Sequence, residues 1–89
     1  MRAIVSVIGK DQVGIIASVC NLLSGYRVNV LDISQTILHE YFTMIMIVDA
    51  AEATIPFSQL VTALEQEGEK MNLSIHAQRE EIFNAMHRI

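Results

Sequence analysis

The junction Ile8-Gly9-Lys10-Asp11-Gln12-Val13-Gly14-Ile15-Ile16 constrains this chain more than any other segment. An apolar, β-branched run ends at its first glycine, and an apolar run with helical spacing begins at its second. A strand that passes through a short polar turn straight into a helix leaves the first helical N–H groups without backbone acceptors. Those donors, with the positive end of the helix dipole, suit a carboxylate or another small anion. The same spacing also describes a plain strand-to-helix turn in which Gly9 and Gly14 serve geometry alone. Both readings stand at this point.

The remaining chain supplies the setting. Arg2 to Ile8 reads as a strand with apolar residues on both parities, so both of its faces are expected to be covered. Ile16, Val19, Cys20 and Leu23 recur at helical intervals, and Gly25 is a suitable stop. Arg27 to Leu38 reads as a long second strand whose alternation breaks near Asp32, as a bulge would break it. His39-Glu40 is expected to form a tight hairpin into a third strand, Tyr41 to Val48. There Phe42, Met44, Met46 and Val48 share one face, and Ile45 and Ile47 lie on the other. After a loop over residues 49–55, Pro56 suits the first turn of a helix carrying Phe57, Leu60, Val61 and Leu64. The charged run Glu65 to Lys70 reads as its solvated end. Asn72 to Gln78 is the fourth strand, with Leu73, Ile75 and Ala77 on one face. Arg79 to Ile89 carries Ile82, Phe83, Met86 and Ile89 at helical intervals and reads as a short amphipathic tail helix.

This order is βαββαβ, the split βαβ or ferredoxin-like arrangement of an α+β domain. Right-handed crossovers place both main helices on one face of a four-stranded antiparallel sheet, with the short C-terminal helix added. The chain is a single domain, a core over residues 1–78 followed by a helical tail over 79–89. Its 89 residues are 52% hydrophobic, more than so small a monomer readily hides, which points to a partner surface and a homodimer.

Other features limit the function. The net charge of −4, without any basic cluster, argues against nucleic acid as a direct partner. No apolar run approaches the ~20 residues of a membrane span, and no secretory signal is evident, so a cytoplasmic location is expected. Cys20 is the only cysteine and reads as a buried structural thiol. His39, His76 and His87 show no metal-ligand spacing, and the serines lack a nucleophile-elbow context. Glu80-Glu81 are adjacent and would point different ways, a poor acid–base pair. No dinucleotide or P-loop fingerprint is present. No catalytic residue, metal ligand or cofactor is therefore expected.

Three segments together, Gly9 to Ala17, Val28-Asn29-Val30-Leu31-Asp32-Ile33-Ser34-Gln35 and Glu40-Tyr41-Phe42-Thr43-Met44, resemble the ACT domain of amino-acid metabolism. The resemblance covers nearly the whole chain. It is nearest to small stand-alone ACT proteins of bacteria and archaea. The N-terminal ACT segments of the glycine-cleavage transcriptional regulator and of formyltetrahydrofolate deformylase look similar. The likeness implies a regulatory module that binds an amino acid after the first strand, often between two subunits. It implies a ligand set of Asp11, Gln12, Val13, Gly14, Ile15, Asn29 and Val30. In that set Val13 and Gly14 supply backbone groups, Asp11 and the Asn29 amide oxygen meet the α-ammonium, and the helix start takes the α-carboxylate. The chain departs from the family in carrying Val13 where a proline is usual, and Gly9 where some members have a larger polar residue. Two other readings remain at this stage. One is a ligand-free interaction and dimerisation module. The other, ranked last for want of any constellation, is a small enzyme using His39 or His76.

Overall fold

Burial on alternate positions sets the layers. In a computed structural model, which describes residues 1–86, Val5 and Val7 of β1 (Arg2–Lys10) are fully buried, as are Met44, Met46 and Val48 of β3 (Tyr41–Asp49). Directly paired residues of neighbouring strands share a face. The Val5↔Met46 and Val7↔Met44 pairs therefore make one continuous apolar floor. On it lie Ile15, Val19 and Leu23 of α1 (Ile15–Gly25) and Leu60 and Leu64 of α2 (Phe57–Met71). β2 (Asn29–Leu38) and β4 (Ser74–Arg79) complete an antiparallel sheet in the order β2-β3-β1-β4. α3 (Glu80–Met86) follows β4 directly. The expected βαββαβ order and short terminal helix are thus present. The end of the expected tail helix, with His87 and Ile89, lies outside the described residues.

β2 slips register between Val30 and Asp32, which leaves Leu31 as the extra residue of a bulge and accounts for its broken alternation. β2 opens at Asn29 rather than Arg27, because Arg27 adopts a left-handed φ of 61° where the chain leaves α1. The two-sided cover expected for β1 is uneven. Ile4 on the open face is 7% exposed, whereas Ile8 on that same face is 50% exposed. α3 packs on β1 and β4, and its Glu80 carboxylate forms an ion pair with Arg2 Nε at 2.8 Å, so it reaches the Arg2 end of the face but leaves the Ile8 end open. Cys20 is half-buried against the core rather than fully enclosed.

The end of α2 is built for close approach. Asn72 takes a left-handed φ of 57°; its N–H donates to the Glu69 carbonyl, and Leu73 N–H donates to the Gly68 carbonyl at 2.8 Å. The chain then folds back over Gly68, where an added Cβ would stand 2.6 Å from the Leu73 carbonyl oxygen. Alanine normally favours a helix interior by roughly 1 kcal/mol over glycine. Here Gly68→Ala should instead lower stability by about 1–3 kcal/mol in urea denaturation, the range of an overpacked site. A gain in stability would contradict the close approach.

The opposite end of the sheet is held by Asp49. Its carboxylate accepts the Ala51 N–H at 2.9 Å and the Met1 ammonium at 3.1 Å. The Ala51 hydrogen bond, then the ammonium, lowers its pKa below the ordinary 3.8 despite some opposing desolvation. A lowered carboxylate pKa stabilises the fold at neutral pH, and that contribution is lost as pH falls through the folded value. Acid titration followed by circular dichroism should therefore show stability declining below pH 3.8, with the decline shallower in Asp49→Asn.

Candidate functional site

The loop from Lys10 to Gly14 is fastened to the body of the domain at two points. Asp11 N–H donates to the Glu40 carbonyl at 2.7 Å, in the β2–β3 hairpin turn. The Gln12 side-chain amide donates to the Met71 carbonyl at 2.8 Å, at the end of α2. Gly14 then adopts φ 91° at the head of α1, a conformation that favours glycine. Its carbonyl accepts Ser18 N–H at 2.9 Å, and no side chain caps the helix. The N–H groups of Ile15, Ile16 and Ala17 precede the first intrahelical donor, so the helix start is open to an acceptor from outside.

A hollow of about 600 Å3 opens beside these groups. Asp11, Gln12, Gly14 and Ile15 all line it, together with Ile16 and Ala17 of α1. Gln35 and Ile37 of β2 form the facing wall, and Phe42 of β3 joins them. The register explains the wall: Gln35 pairs with Met44 and Ile37 with Phe42, so both point to the helix side of the sheet. Yet β2 is an edge strand, and Ile37 remains 58% exposed. The hollow is the gap between the first turn of α1 and an edge strand that it only partly covers.

The residues expected from the sequence do not all gather there. Val13 is 100% exposed at the tip of the loop. Asn29 and Val30 stand at the other end of the sheet: Asn29 pairs with Asp49, which pairs with Arg2, whereas Lys10 pairs with Tyr41 beside the loop. A strand of 9 residues separates these ends, roughly 26 Å at ~3.3 Å per residue. Asn29 lines a separate hollow with Ser24, Arg27, Val28 and Glu52. Within one chain, therefore, Asn29 does not join the loop. Gln35, Ile37 and Phe42 escaped the sequence reading because their only signal was strand parity, which names a face but not the helix end above it.

Gly9 also has a structural explanation. It lies on the helix side of β1 opposite Phe42, and an added Cβ would meet Leu73 Cδ2 at 2.4 Å. The turn after α2 crowds the position, with Leu73 Cα at 3.3 Å and the Asn72 carbonyl oxygen at 3.4 Å, so a larger side chain would have to displace the Leu73 side chain. Away from the loop, Ser74 Oγ and His76 Nε2 are hydrogen-bonded at 3.0 Å on an exposed strand. Among the described residues, no group of His, Cys, Asp and Glu could hold a metal ion, and no helix is long and apolar enough to cross a membrane.

The ACT domain model matches residues 2–78, from the first strand to the last. The chain belongs to the ACT-domain family. ACT domains are regulatory ligand-binding modules. A UPF0237 protein of Listeria innocua is 51% identical over 89 residues, covering 100% of both chains. An ACT domain protein from Streptococcus pneumoniae superposes with a TM-score of 0.83 at 41% identity, over 98% of each chain. Formyltetrahydrofolate deformylase from Burkholderia mallei shares the fold at 15% identity and a TM-score of 0.78; the match covers 88% of this chain and 28% of the deformylase.

The two fastenings carry a test of how the ACT loop is held. Gln12→Ala removes the side-chain bond to the Met71 carbonyl, at a cost of about 1 kcal/mol. Hydrogen exchange should speed up at the hydrogen-bonded amides of Asp11 and Ser18, which donate to the Glu40 and Gly14 carbonyls, more than in β1 or β3. Equal acceleration throughout would mean that Gln12 supports the whole fold rather than the loop.

Proposed function

We propose that this ACT domain is a non-catalytic regulatory module of the cytoplasm that binds a small amino acid, or a related metabolite, at the β1–α1 loop of a homodimer. The observation that carries this reading is the uncapped start of α1 opening onto a hollow that Asp11 also lines. The two ends of a zwitterion match those two features. A carboxylate is stabilised by the free N–H groups and the helix dipole, and an ammonium by Asp11.

The separation of Asn29 from the loop argues for two copies. β2 is an edge strand with unpaired backbone groups along one side, and Ile33, Ile37 and Leu38 on it are exposed. Antiparallel pairing of two β2 strands about a two-fold axis would set Asn29 of the partner subunit beside Leu38, the end next to the loop. Its amide oxygen would then join Asp11 on the ligand's ammonium. A ligand shared in this way binds the dimer more tightly than the monomer and so couples its concentration to assembly.

Complete exposure of Val13 favours a second reading, a ligand-free module whose loop docks a protein partner. Thermal-shift measurements against the common amino acids separate the two, because a ligand of the folded state raises its melting temperature. A shift with at least one amino acid is expected at millimolar concentration; a flat response throughout favours the docking module. For whichever amino acid binds, Asn29→Ala should weaken calorimetric affinity about tenfold, the equivalent of one hydrogen bond to a charged group. Unchanged affinity would remove Asn29 from the site.

A further inference from the structure

We infer that the amino acid taken by this hollow has an apolar side chain, an inference that rests on the amino-acid reading just given and narrows it. Beyond the loop, the walls are the aliphatic chains of Ile16 and Ala17 on one side and Ile37 on the other, with the Phe42 ring between them. Among the described residues Asp11 is the only ionisable one that lines the hollow, and the zwitterion's own ammonium would engage it. No second charged side chain among the described residues lines the hollow to neutralise a charged ligand side chain. Lys10 and Lys70 line a second hollow, with Met71 and Asn72, that shares Asp11 and Gln12 with this one; neither lysine lines the apolar walls. Lys70 also faces Glu67 at 3.8 Å.

Polar side chains fare little better. The Gln12 amide N–H is committed to the Met71 carbonyl, so Gln35 is the one side-chain amide on the walls with no such tie among the described hydrogen bonds. Gln35 is exposed on the edge strand, where water competes for its hydrogen bonds. The apolar walls, by contrast, gain from every carbon placed against them. A fully buried methylene contributes about fourfold in affinity, the equivalent of its transfer free energy. A ligand seated with its carboxylate on the α1 start and its ammonium on Asp11 directs its side chain toward these walls. The site therefore ranks ligands by aliphatic size.

Isothermal titration of the intact chain with alanine, valine, leucine, serine, aspartate and lysine tests this. Affinity should rise from alanine through valine to leucine, with leucine at least about tenfold tighter than alanine. Serine, aspartate and lysine should bind more weakly than valine. Ile16→Ala, which keeps good helix propensity, should weaken leucine severalfold more than it weakens alanine. Serine, aspartate or lysine binding as tightly as leucine would overturn the apolar assignment and leave amino-acid binding standing. Equal weakening of alanine and leucine in the variant would likewise overturn it, since Ile16 would then support the loop rather than contact the side chain. Absence of binding by every common amino acid would instead overturn the amino-acid reading itself, and this inference with it.

Discussion

The helix-side floor of β1 and β3 is the constraint on which the other features depend. Val5, Val7, Met44 and Met46 are sealed beneath α1 and α2, and their burial fixes register as well as layer. A one-residue slip of either strand would turn that floor outward, which makes the pairing of Lys10 with Tyr41 and of Arg2 with Asp49 obligatory. The position of the β1–α1 loop follows from this pairing. It emerges beside the β2–β3 hairpin because β1 and β3 are locked, and α1 leaves it at an angle set by Ile15, Val19 and Leu23 seeking the same floor. The open helix start is therefore a rigid consequence of core packing, fastened further by Asp11 and Gln12.

The same two helices cannot cover the sheet evenly. They leave β2 at an edge with its helix-side residues Ile33 and Ile37 exposed, and this shortfall forms both the hollow and the apolar strip along the edge. A long edge strand with free backbone groups is a liability in a monomer and an asset in a dimer. The 52% hydrophobic content finds its physical outlet here and on the open face near Ile8 and Ile45.

Much of this was legible in the sequence because it is local or periodic. The alternation of Phe42, Met44, Met46 and Val48, the helical spacing of Ile16 to Leu23 and the lost phase near Asp32 each reported a real element or bulge. The β1–α1 turn was legible because Gly14 sits where a left-handed residue must. What escaped depends on distance across the chain. Nothing near Gln12 announces Met71, and nothing near Gly9 announces Leu73. The wall of Gln35 and Ile37 needed the β2–β3 register, and the separation of Asn29 from the loop needed the whole sheet. Within one chain the open face of β1 stays bare near Ile8, because parity records which residues are apolar, not how far the short α3 extends.

Nitrogen-edited NMR of the labelled protein during titration with leucine tests the central claim most directly, that one ligand unites groups which a single chain holds roughly 26 Å apart. With a shared site, the backbone amides of Ile15, Ile16 and Ala17 and the side-chain amide of Asn29 should shift together with a common apparent Kd. Shifts confined to the loop, with Asn29 silent through saturation, would contradict a site shared between two copies.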